Sequence, residues 1–300
     1  MKPAPFEYHR PSSTEEAASL LAEHGWEAKL LAGGQSLIPA MNFRLAQPSI
    51  LIDLNNVEEL AYIREGNGLL HIGAMARQRS AERSELVAQR APLVSETLPF
   101  IAHPQIRSRG TIGGSIAHAD PASELPAVML ALEATFHLRS QRGTRSVSSE
   151  EFFTGLFGTA LEPDEMLAEI EVPPLADGVG WGFAEISRRH GDYGLAGLAA
   201  AVQLDGDGKC SKARIALLSV GDGPVLASSA AEALLDVEPS EEAIRAAADA
   251  AAYRDIDPPS DIHASAAYRR RLVEVLTRRV LPRAFERARG IDLKPITHEA

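Results

Sequence analysis

The chain has 300 residues and a formal net charge of −11 at pH 7, enough length for one large or two ordinary domains. The acidic balance argues against a nucleic-acid-binding protein, because such proteins carry a basic stripe. The single cysteine, Cys210, excludes an internal disulfide and an iron–sulfur cluster on this chain, since a cluster needs about four thiolates. No segment has the pattern of a secretory signal or a membrane span. We therefore expect a cytoplasmic protein without membrane insertion.

The first part of the chain predicts a small α/β subdomain that ends near residue 56. A helix is predicted over 14–24, because Ser13 or Thr14 can cap its start and Gly25 can end it. The predicted strands are residues 5–9, 28–32 and 49–54. Together they give a β-α-β-loop-β order.

The second part, residues 57–177, predicts a mixed sheet with surrounding helices. The Asn67–Gly68 dipeptide indicates a hairpin turn between its first two strands. The predicted strands are residues 60–64, 69–72, 135–139, 145–147 and 167–172. The predicted helices are residues 76–89, 93–101 and 122–132.

A domain boundary is predicted at residues 175–180, which follow two prolines and contain two glycines. Beyond it we expect an α+β domain over 178–290 and a tail over 291–300. Its predicted strands are residues 182–188, 197–204 and 213–220, and its predicted helices are residues 229–235, 241–252 and 262–289. Pro282 lies within the last helix and is expected to kink or split it. The fold class is therefore α+β, with a three-stranded sheet and helices at the C-terminus.

The chain contains two glycine-rich stretches. AGGQSLIP, over 32–39, comes directly after a predicted strand, and IRSRGTIGGSIAHADPASELP, over 106–126, runs into the predicted helix over 122–132. Glycine lets the main chain approach a ligand, and converging amides can bind an anion. Neither stretch has the G-x-x-x-x-G-K-[ST] or G-x-G-x-x-G pattern of common nucleotide-binding loops. One such stretch alone is explained equally well as a tight turn. Two of them predict the two halves of a cradle for a diphosphate.

The pair of stretches resembles the FAD-binding medium subunit of the molybdenum hydroxylases, the family of the aerobic carbon monoxide dehydrogenase medium chain and the xanthine dehydrogenase FAD domain. The likeness rests on AGGQSLIPAMNFRL and IRSRGTIGGSIAHADPASELPA. It extends from FEYHRPSSTEEAASLL to AYRRRLVEVLTRRVL, nearly the whole chain. The resemblance implies a two-subdomain FAD-binding domain of the PCMH/vanillyl-alcohol-oxidase-like type over 1–177, followed by the C-terminal domain.

The resemblance also implies which residues contact FAD. The backbone N–H groups of the first stretch would bind the diphosphate, two acidic side chains would anchor polar groups of the cofactor, and Tyr193 would lie against the isoalloxazine ring. Simpler explanations stay open: Asp120 as a helix N-cap before Pro121, Tyr193 as a core tyrosine, and the two leucines as core packing. The full set is Ala32, Gly33, Gly34, Gln35, Ser36, Leu37, Ile101, Ala102, Thr111, Gly113, Gly114, Ser115, Asp120, Glu124, Leu161, Leu167 and Tyr193.

Two positions depart from the family pattern. Gln35 stands where relatives often have histidine, which matters little for a main-chain site, and Ser108 replaces a usual asparagine, which puts a loop-bracing contact in doubt. His103 and His118 have no ligand partners at metal-binding spacing, so structural roles are expected and no metal is assigned. No G-x-S-x-G nucleophile motif and no signal for covalent flavin attachment are present.

The resemblance implies an oxidoreductase subunit that transfers electrons through non-covalently bound FAD and has no catalytic residue of its own. Implied partners are a small [2Fe–2S] subunit and a large molybdopterin subunit, in a dimer of heterotrimers, and an external electron acceptor. Two alternatives stay open. One is a self-contained FAD-dependent reductase acting directly on a small substrate, for which only Tyr193 offers an acid or base. The other is a nucleotide-binding scaffold without redox turnover.

Overall fold

The computed structural model describes residues 2–176 and 178–295, and its strands form three main sheets that follow one another along the chain. Each sheet lies within one of the three predicted parts, so the α+β prediction is confirmed. Within these residues, no helix combines the length and apolar character needed to cross a bilayer. The exact domain limits stay a prediction.

The first sheet has three parallel strands in the order β1–β3–β2. Its elements are β1 (Glu7–His9), α1 (Thr14–His24), β2 (Ala28–Leu31), α2 (Leu37–Asn42) and β3 (Ile50–Asp53). Helix α1 begins as predicted, because the Ser13 hydroxyl accepts a hydrogen bond from the Glu16 N–H. Since the strands are parallel, the carboxyl ends of β2 and β3 meet at one edge, where Leu31 pairs with Asp53. The first glycine turn starts at that edge.

The second sheet has five antiparallel strands in the order β4–β5–β10–β6–β7. Its elements begin with β4 (Ile63–Gly66), β5 (Leu69–Gly73), α3 (Gln78–Glu82), α4 (Glu85–Arg90), α5 (Pro92–Thr97), α6 (Pro104–Arg107), α7 (Ile112–His118) and α8 (Glu124–Ala131). They continue with β6 (Thr135–Ser140), β7 (Gly143–Ser148), α9 (Ser149–Phe152), β8 (Phe153–Gly155), β9 (Gly158–Thr159) and β10 (Met166–Val172). Strands β8 and β9 form a small separate ribbon.

The predicted helix over 76–89 is wrong in extent, because the chain forms two short helices there, α3 and α4. The prediction over 93–101 corresponds to a third helix, α5, and to the turn of 3₁₀ helix Leu98–Phe100 that follows it. Ser84 stops the first and caps the second by accepting a hydrogen bond from the Val87 N–H. Pro92 then starts the third, at a position where its missing N–H costs nothing. Local capping signals therefore overrode the longer helical pattern.

The third sheet has four antiparallel strands, one more than predicted, in the order β11–β12–β13–β14. The elements are β11 (Val179–Ser187), β12 (Gly194–Leu204), β13 (Cys210–Leu218), β14 (Val225–Leu226), α10 (Ser228–Glu232), α11 (Glu241–Tyr253) and α12 (Ala266–Ala288). Strand β14 has only two residues, too few for a periodic pattern. Helix α12 contains Pro282 and continues through it, so the expected split does not occur.

Several side chains of the third part are buried in the hydrophobic core of the second part, while most of its apolar residues form a separate core. Phe183, from β11, and Leu218, from β13, are fully buried in the same cluster as Ile112 and Phe136. The rings of Phe100 and Phe183 meet edge to face at 5.1 Å between centroids. The predicted boundary at 177 therefore separates two parts that pack together, with α5 and α8 of the second part against strands β11, β12 and β13 of the third.

Candidate functional site

The two glycine stretches lie in direct contact, although 77 residues separate Gly33 from Gly110. A Cβ atom on Gly33 would stand 2.4 Å from the Arg109 carbonyl oxygen and 2.7 Å from the Gly110 Cα. A Cβ on Gly114 would lie 3.4 Å from the Ala32 Cβ. The structure thus brings the predicted halves together. The neighbouring main chain is by itself enough to require glycine at position 33.

The first turn presents a row of unpaired main-chain donors. Gly34 has φ +74°, a conformation that favours glycine. The N–H groups of residues 34–37 find no acceptor among the hydrogen bonds of the described chain. The Gln35 side chain braces the turn by donating from Nε2 to the Gly33 carbonyl, at 3.1 Å. Adjacent amide donors of this kind suit the oxygens of a diphosphate, so the turn fits the cofactor predicted from the sequence.

The second stretch differs from its prediction, because Gly113 and Gly114 lie inside helix α7 and not in an open loop. The N–H groups of residues 112–115 donate to the Ala76 oxygen (2.9 Å), the Ala74 oxygen (3.0 Å), Thr111 Oγ1 (2.9 Å) and the Thr111 oxygen (3.2 Å). These amides are therefore already hydrogen-bonded within the protein and are not available to a ligand. What the stretch offers a ligand is hydroxyl groups, on Thr111 and Ser115.

Glycine is required in α7 by close packing. A Cβ on Gly113 would stand 2.4 Å from the Ala74 Cβ, so only glycine lets α7 lie against the end of β5. A Cβ on Gly114 would stand 2.6 Å from Thr111 Oγ1, the atom that caps the helix. Thr111 is 2% exposed, and its Oγ1 accepts the Gly114 N–H while its own hydrogen donates to no acceptor within the described chain.

Two residues that sequence reasoning missed hold the turns together. Asn55 donates from Nδ2 to the Ala32 carbonyl at 3.0 Å and accepts from Arg77 Nη2 at 2.6 Å. Arg77 also donates to the Arg109 carbonyl. The Asn55–Arg77 pair thus links the first turn to the second. The only sequence signal was the place of Asn55, just past a strand that runs beside the first turn.

The two acidic residues of the second stretch, Asp120 and Glu124, lie in different environments. The Asp120 carboxylate accepts the Ala122 N–H at 2.9 Å, in a local turn. Helix α8 begins at Glu124 with Ser123 at its N-cap position, so the alternative reading of Asp120 as the N-cap before Pro121 is wrong. Glu124 is 7% exposed. Its burial, with the charge of Asp120, raises the pKa of its carboxyl to about 7.

A third carboxyl, on Glu185 of β11, was not predicted from the sequence. It is buried, and neither oxygen has a hydrogen-bond partner within the described chain. Burial, and then the charge of Glu124, raise the pKa of Glu185 to about 9. A single glutamate in an apolar strand does not indicate a functional site from sequence alone. The burial of Glu185 became visible only once β11 was seen to pack against the second part.

Tyr193 lies in the third part, at the end of the connection between β11 and β12. Its side chain is 64% exposed, so the alternative of a core tyrosine is wrong. Loss of hydration, followed by the charges of Asp120 and Glu124, raises the pKa of its phenol. The phenol of Tyr193 is therefore influenced by the charges of Asp120 and Glu124 in the second part.

The remaining predicted residues fall into two groups. Ile101 and Ala102 lie at the same junction, where their carbonyls accept from Arg107 Nη1 at 2.7 and 3.3 Å. Leu161 is partly buried against the core, and Leu167 is 4% exposed within it. Core packing, the simpler explanation, therefore accounts for Leu167.

The histidines beside the second stretch have ring contacts. A Cβ on Gly191 would stand 2.5 Å from His103 Cε1, which places His103 at the junction. The His118 ring lies 5.3 Å from the Phe157 ring, and burial lowers the pKa of His118. Both positions fit the structural roles expected from the sequence.

Two family models match the chain, one over its first two parts and one over the third. Residues 4–175 match the family model described as the FAD binding domain in molybdopterin dehydrogenase. Residues 181–284 match the CO dehydrogenase flavoprotein C-terminal domain. The two matches leave only short segments uncovered.

Individual relatives are similar along nearly their whole length. The 6-hydroxypseudooxynicotine dehydrogenase complex subunit alpha of Paenarthrobacter nicotinovorans is 45% identical over 96% of this chain and 97% of its own. Caffeine dehydrogenase subunit beta of Pseudomonas sp. strain CBB1 is 40% identical over 98% and 99%. A solved chain of the Hydrogenophaga pseudoflava carbon monoxide dehydrogenase lacking the Mo-pyranopterin moiety has a TM-score of 0.93 and 43% identity, over 96% of this chain and 99% of that one.

Proposed function

We propose that this chain, which belongs to the family of FAD-binding medium subunits of molybdenum hydroxylases, passes electrons from partner [2Fe–2S] clusters through FAD to an external acceptor. The predicted family and the FAD cofactor are confirmed by the family models and the relatives. The observation that carries the proposal is the row of unpaired N–H groups over 34–37, lying against the second glycine stretch.

Each part of the site has a proposed task in binding FAD. The amides of residues 34–37 would hold the diphosphate without a lysine. The hydroxyls of Thr111 and Ser115 would add donors from the other side. Asp120 and Glu124 would accept hydrogen bonds from cofactor hydroxyl or ring N–H groups. Tyr193 would lie against the flat ring, because offset stacking is favourable between aromatic groups.

Bound FAD supplies a carrier that accepts electron pairs and passes single electrons. The chain's own residues therefore need only bind, orient and insulate it. The relatives are named for a nicotine derivative, caffeine and carbon monoxide, at comparable identity to this chain. That spread supports substrate oxidation on another subunit, since so similar a chain would not select among such different molecules.

The partner subunits that we propose are inferred from the relatives of this chain. Relatives are named as subunits of complexes, among them a complex subunit alpha and two medium chains. We propose a small [2Fe–2S] subunit and a large molybdopterin subunit as partners, a dimer of heterotrimers as the assembly, and the cytoplasm as the location. Purification of the chain from its native host tests this, with two co-purifying subunits that carry iron–sulfur and molybdenum as the expected result.

The first turn is tested directly by Gly34→Ala, which forces alanine into φ +74° and should abolish FAD retention. Gly68→Ala is the matched control, since Gly68 has φ +79° in a hairpin turn with open space around it. FAD is measured by its visible absorption and by fluorescence titration. Equal retention in both variants would overturn the assignment of the diphosphate to this turn.

Redox assays separate the remaining alternatives. The FAD-loaded subunit should be reduced by dithionite and reoxidised by an artificial acceptor, but should not oxidise the complex's organic substrate alone. Turnover of that substrate by the isolated subunit would support the self-contained reductase. FAD that binds but cannot be reoxidised would support the scaffold.

A further inference from the structure

Four metal-ligating side chains meet on the outer face of the five-stranded sheet, outside the proposed FAD site. We call them the sheet-face cluster: His71 on β5, His137 on β6, and Glu169 and Glu171 on β10. Strand pairing sets their positions, because Glu171 stands directly opposite His71, and Glu169 directly opposite His137. The alternate residues on these strands are buried on the other face. The cluster thus spans three neighbouring strands.

The ligand atoms of His71, Glu169 and Glu171 all lie within 4.8 Å of one another, and His137 lies beside this group. His71 Nδ1 lies 3.0 Å from Glu169 Oε1 and 4.0 Å from Glu171 Oε2. His137 Nε2 lies 3.7 Å from Glu169 Oε1 and 3.4 Å from Glu171 Oε2. Ligands bonded tetrahedrally to zinc at 2.0–2.1 Å are about 3.4 Å apart, so these separations suit such an ion after small shifts.

Each histidine is oriented by its other ring nitrogen. His71 Nε2 lies 3.1 Å from the Gly66 carbonyl oxygen, and His137 Nδ1 lies 2.9 Å from Ser146 Oγ. A carbonyl can only accept, so His71 Nε2 carries a hydrogen, and Nδ1 is the ring nitrogen that faces the cluster. Metal-bound histidines are held in this way, with the far nitrogen bonded to an oxygen.

Glu169 is oriented in the same manner. Its Oε2 accepts the Tyr62 hydroxyl and lies 3.5 Å from Arg64 Nη2, which leaves Oε1 facing the histidines. A bare Nδ1 lone pair 3.0 Å from a carboxylate is repulsive unless a positive species lies between them. A proton or a metal ion would supply it. Two carboxylates, with one partly exposed arginine beside them, leave a net negative charge that attracts a dication.

We propose that the sheet-face cluster binds one divalent transition-metal ion of the zinc class. Its two imidazoles and two carboxylates form a donor set that zinc accepts, whereas magnesium and calcium prefer oxygen ligands alone. Three of the ligands already lie within 4.8 Å of one another, and His137 would move toward them to close the site. With four protein ligands the ion would have a structural role and would tie β5, β10 and β6 together. The sequence did not indicate it, because 66 residues separate the histidines and only strand pairing joins them.

The test is a Zn²⁺ titration of the FAD-loaded subunit after chelator treatment, by competition with a zinc indicator and by thermal melting. One equivalent should bind and raise the Tm, and Mg²⁺ should have no such effect. His71→Ala and His137→Ala should each weaken Zn²⁺ binding at least about 10-fold, and Ser146→Ala should weaken it about 10-fold at unchanged stoichiometry. His263→Ala, on an exposed loop histidine, is the matched control.

Two results would overturn the site. One is the absence of 1:1 binding at micromolar Zn²⁺. The other is equal Zn²⁺ affinity in wild type and in both histidine variants. The latter would mean adventitious binding elsewhere on the surface. FAD retention and circular dichroism report whether each variant is folded. Should a histidine variant unfold, Glu171→Gln replaces it, because that side chain is the most exposed of the four.

Discussion

Gly33 and Gly110 touch so closely that a Cβ on Gly33 would stand 2.7 Å from the Gly110 Cα. The contact is between two stretches of main chain, so neither can yield as a flexible side chain would. It fixes the row of amide donors at residues 34–37 beside the hydroxyls of the second stretch. The position of the proposed diphosphate site therefore depends on residue 33 being glycine, which has no Cβ.

The variant Gly33→Ala should push the two stretches apart and lower FAD affinity by at least about 10-fold, which is about 1.4 kcal/mol of binding free energy. Gly206→Ala is the control, because Gly206 has ordinary φ and no atom near its Cβ position. Isothermal titration of the apo-protein with FAD measures both. Unchanged affinity in Gly33→Ala would show that the contact does not position the site.

Replacing Tyr193 with alanine should weaken FAD binding about 2- to 12-fold, because aromatic stacking contributes about 0.5–1.5 kcal/mol. Tyr193→Phe should keep most of the affinity, since the ring and not the hydroxyl makes the contact. Tyr253, 61% exposed on the third part of the chain, is the matched control for removing a surface tyrosine. The visible spectrum of bound FAD should also change in Tyr193→Ala. An unaltered spectrum and affinity would argue against stacking.

Arg287 joins the two large parts of the chain through a buried ion pair, with Nη1 at 2.7 Å from Glu96 Oε2 and both side chains about 5% exposed. Arg287→Met leaves the Glu96 carboxyl buried without its partner and should cost about 3–5 kcal/mol of unfolding free energy. Arg245→Met, which breaks an exposed pair with Glu241, should cost at most about 0.5 kcal/mol. Urea denaturation measures both. Equal losses would contradict the role of the buried pair.

The buried carboxyls of Glu124 and Glu185 make stability depend on pH. Burial raises their pKa values to about 7 and about 9, so the folded chain keeps protons that the unfolded chain releases above about pH 4.5. The unfolded state then binds fewer protons, and the stability present at low pH is lost as the pH rises toward about 9.

The variant Glu185→Gln keeps the shape of the side chain but cannot ionise. Its Tm should match wild type near pH 5 and exceed it by several degrees near pH 9. Glu241→Gln, on an exposed glutamate, should leave the pH profile of wild type unchanged. Thermal melts from pH 5 to 9 give the comparison, and parallel curves for wild type and Glu185→Gln would show that Glu185 does not hold its proton.

The sequence by itself determined the features that depend on neighbouring residues. The Ser13 cap starts α1, the hairpin turns lie where Asn–Gly and Gly signals predict them, and the two glycine stretches identified the family and its cofactor. Local signals also explain where prediction failed nearby, as when Ser84 divided the predicted helix over 76–89 into two short helices.

Tertiary structure alone decided which of those groups remain available to a ligand. Both glycine stretches looked alike as sequence, yet the amides over 34–37 have no acceptor within the described chain, whereas those over 112–115 are hydrogen-bonded to Thr111, Ala74 and Ala76. Likewise, Glu185 became a buried acid only when β11 packed against the second part, and His71 met Glu171 only through the pairing of β5 with β10. Such contacts join residues far apart in the chain, and no local pattern records which strands will pair or which hydrogen bonds will already be made.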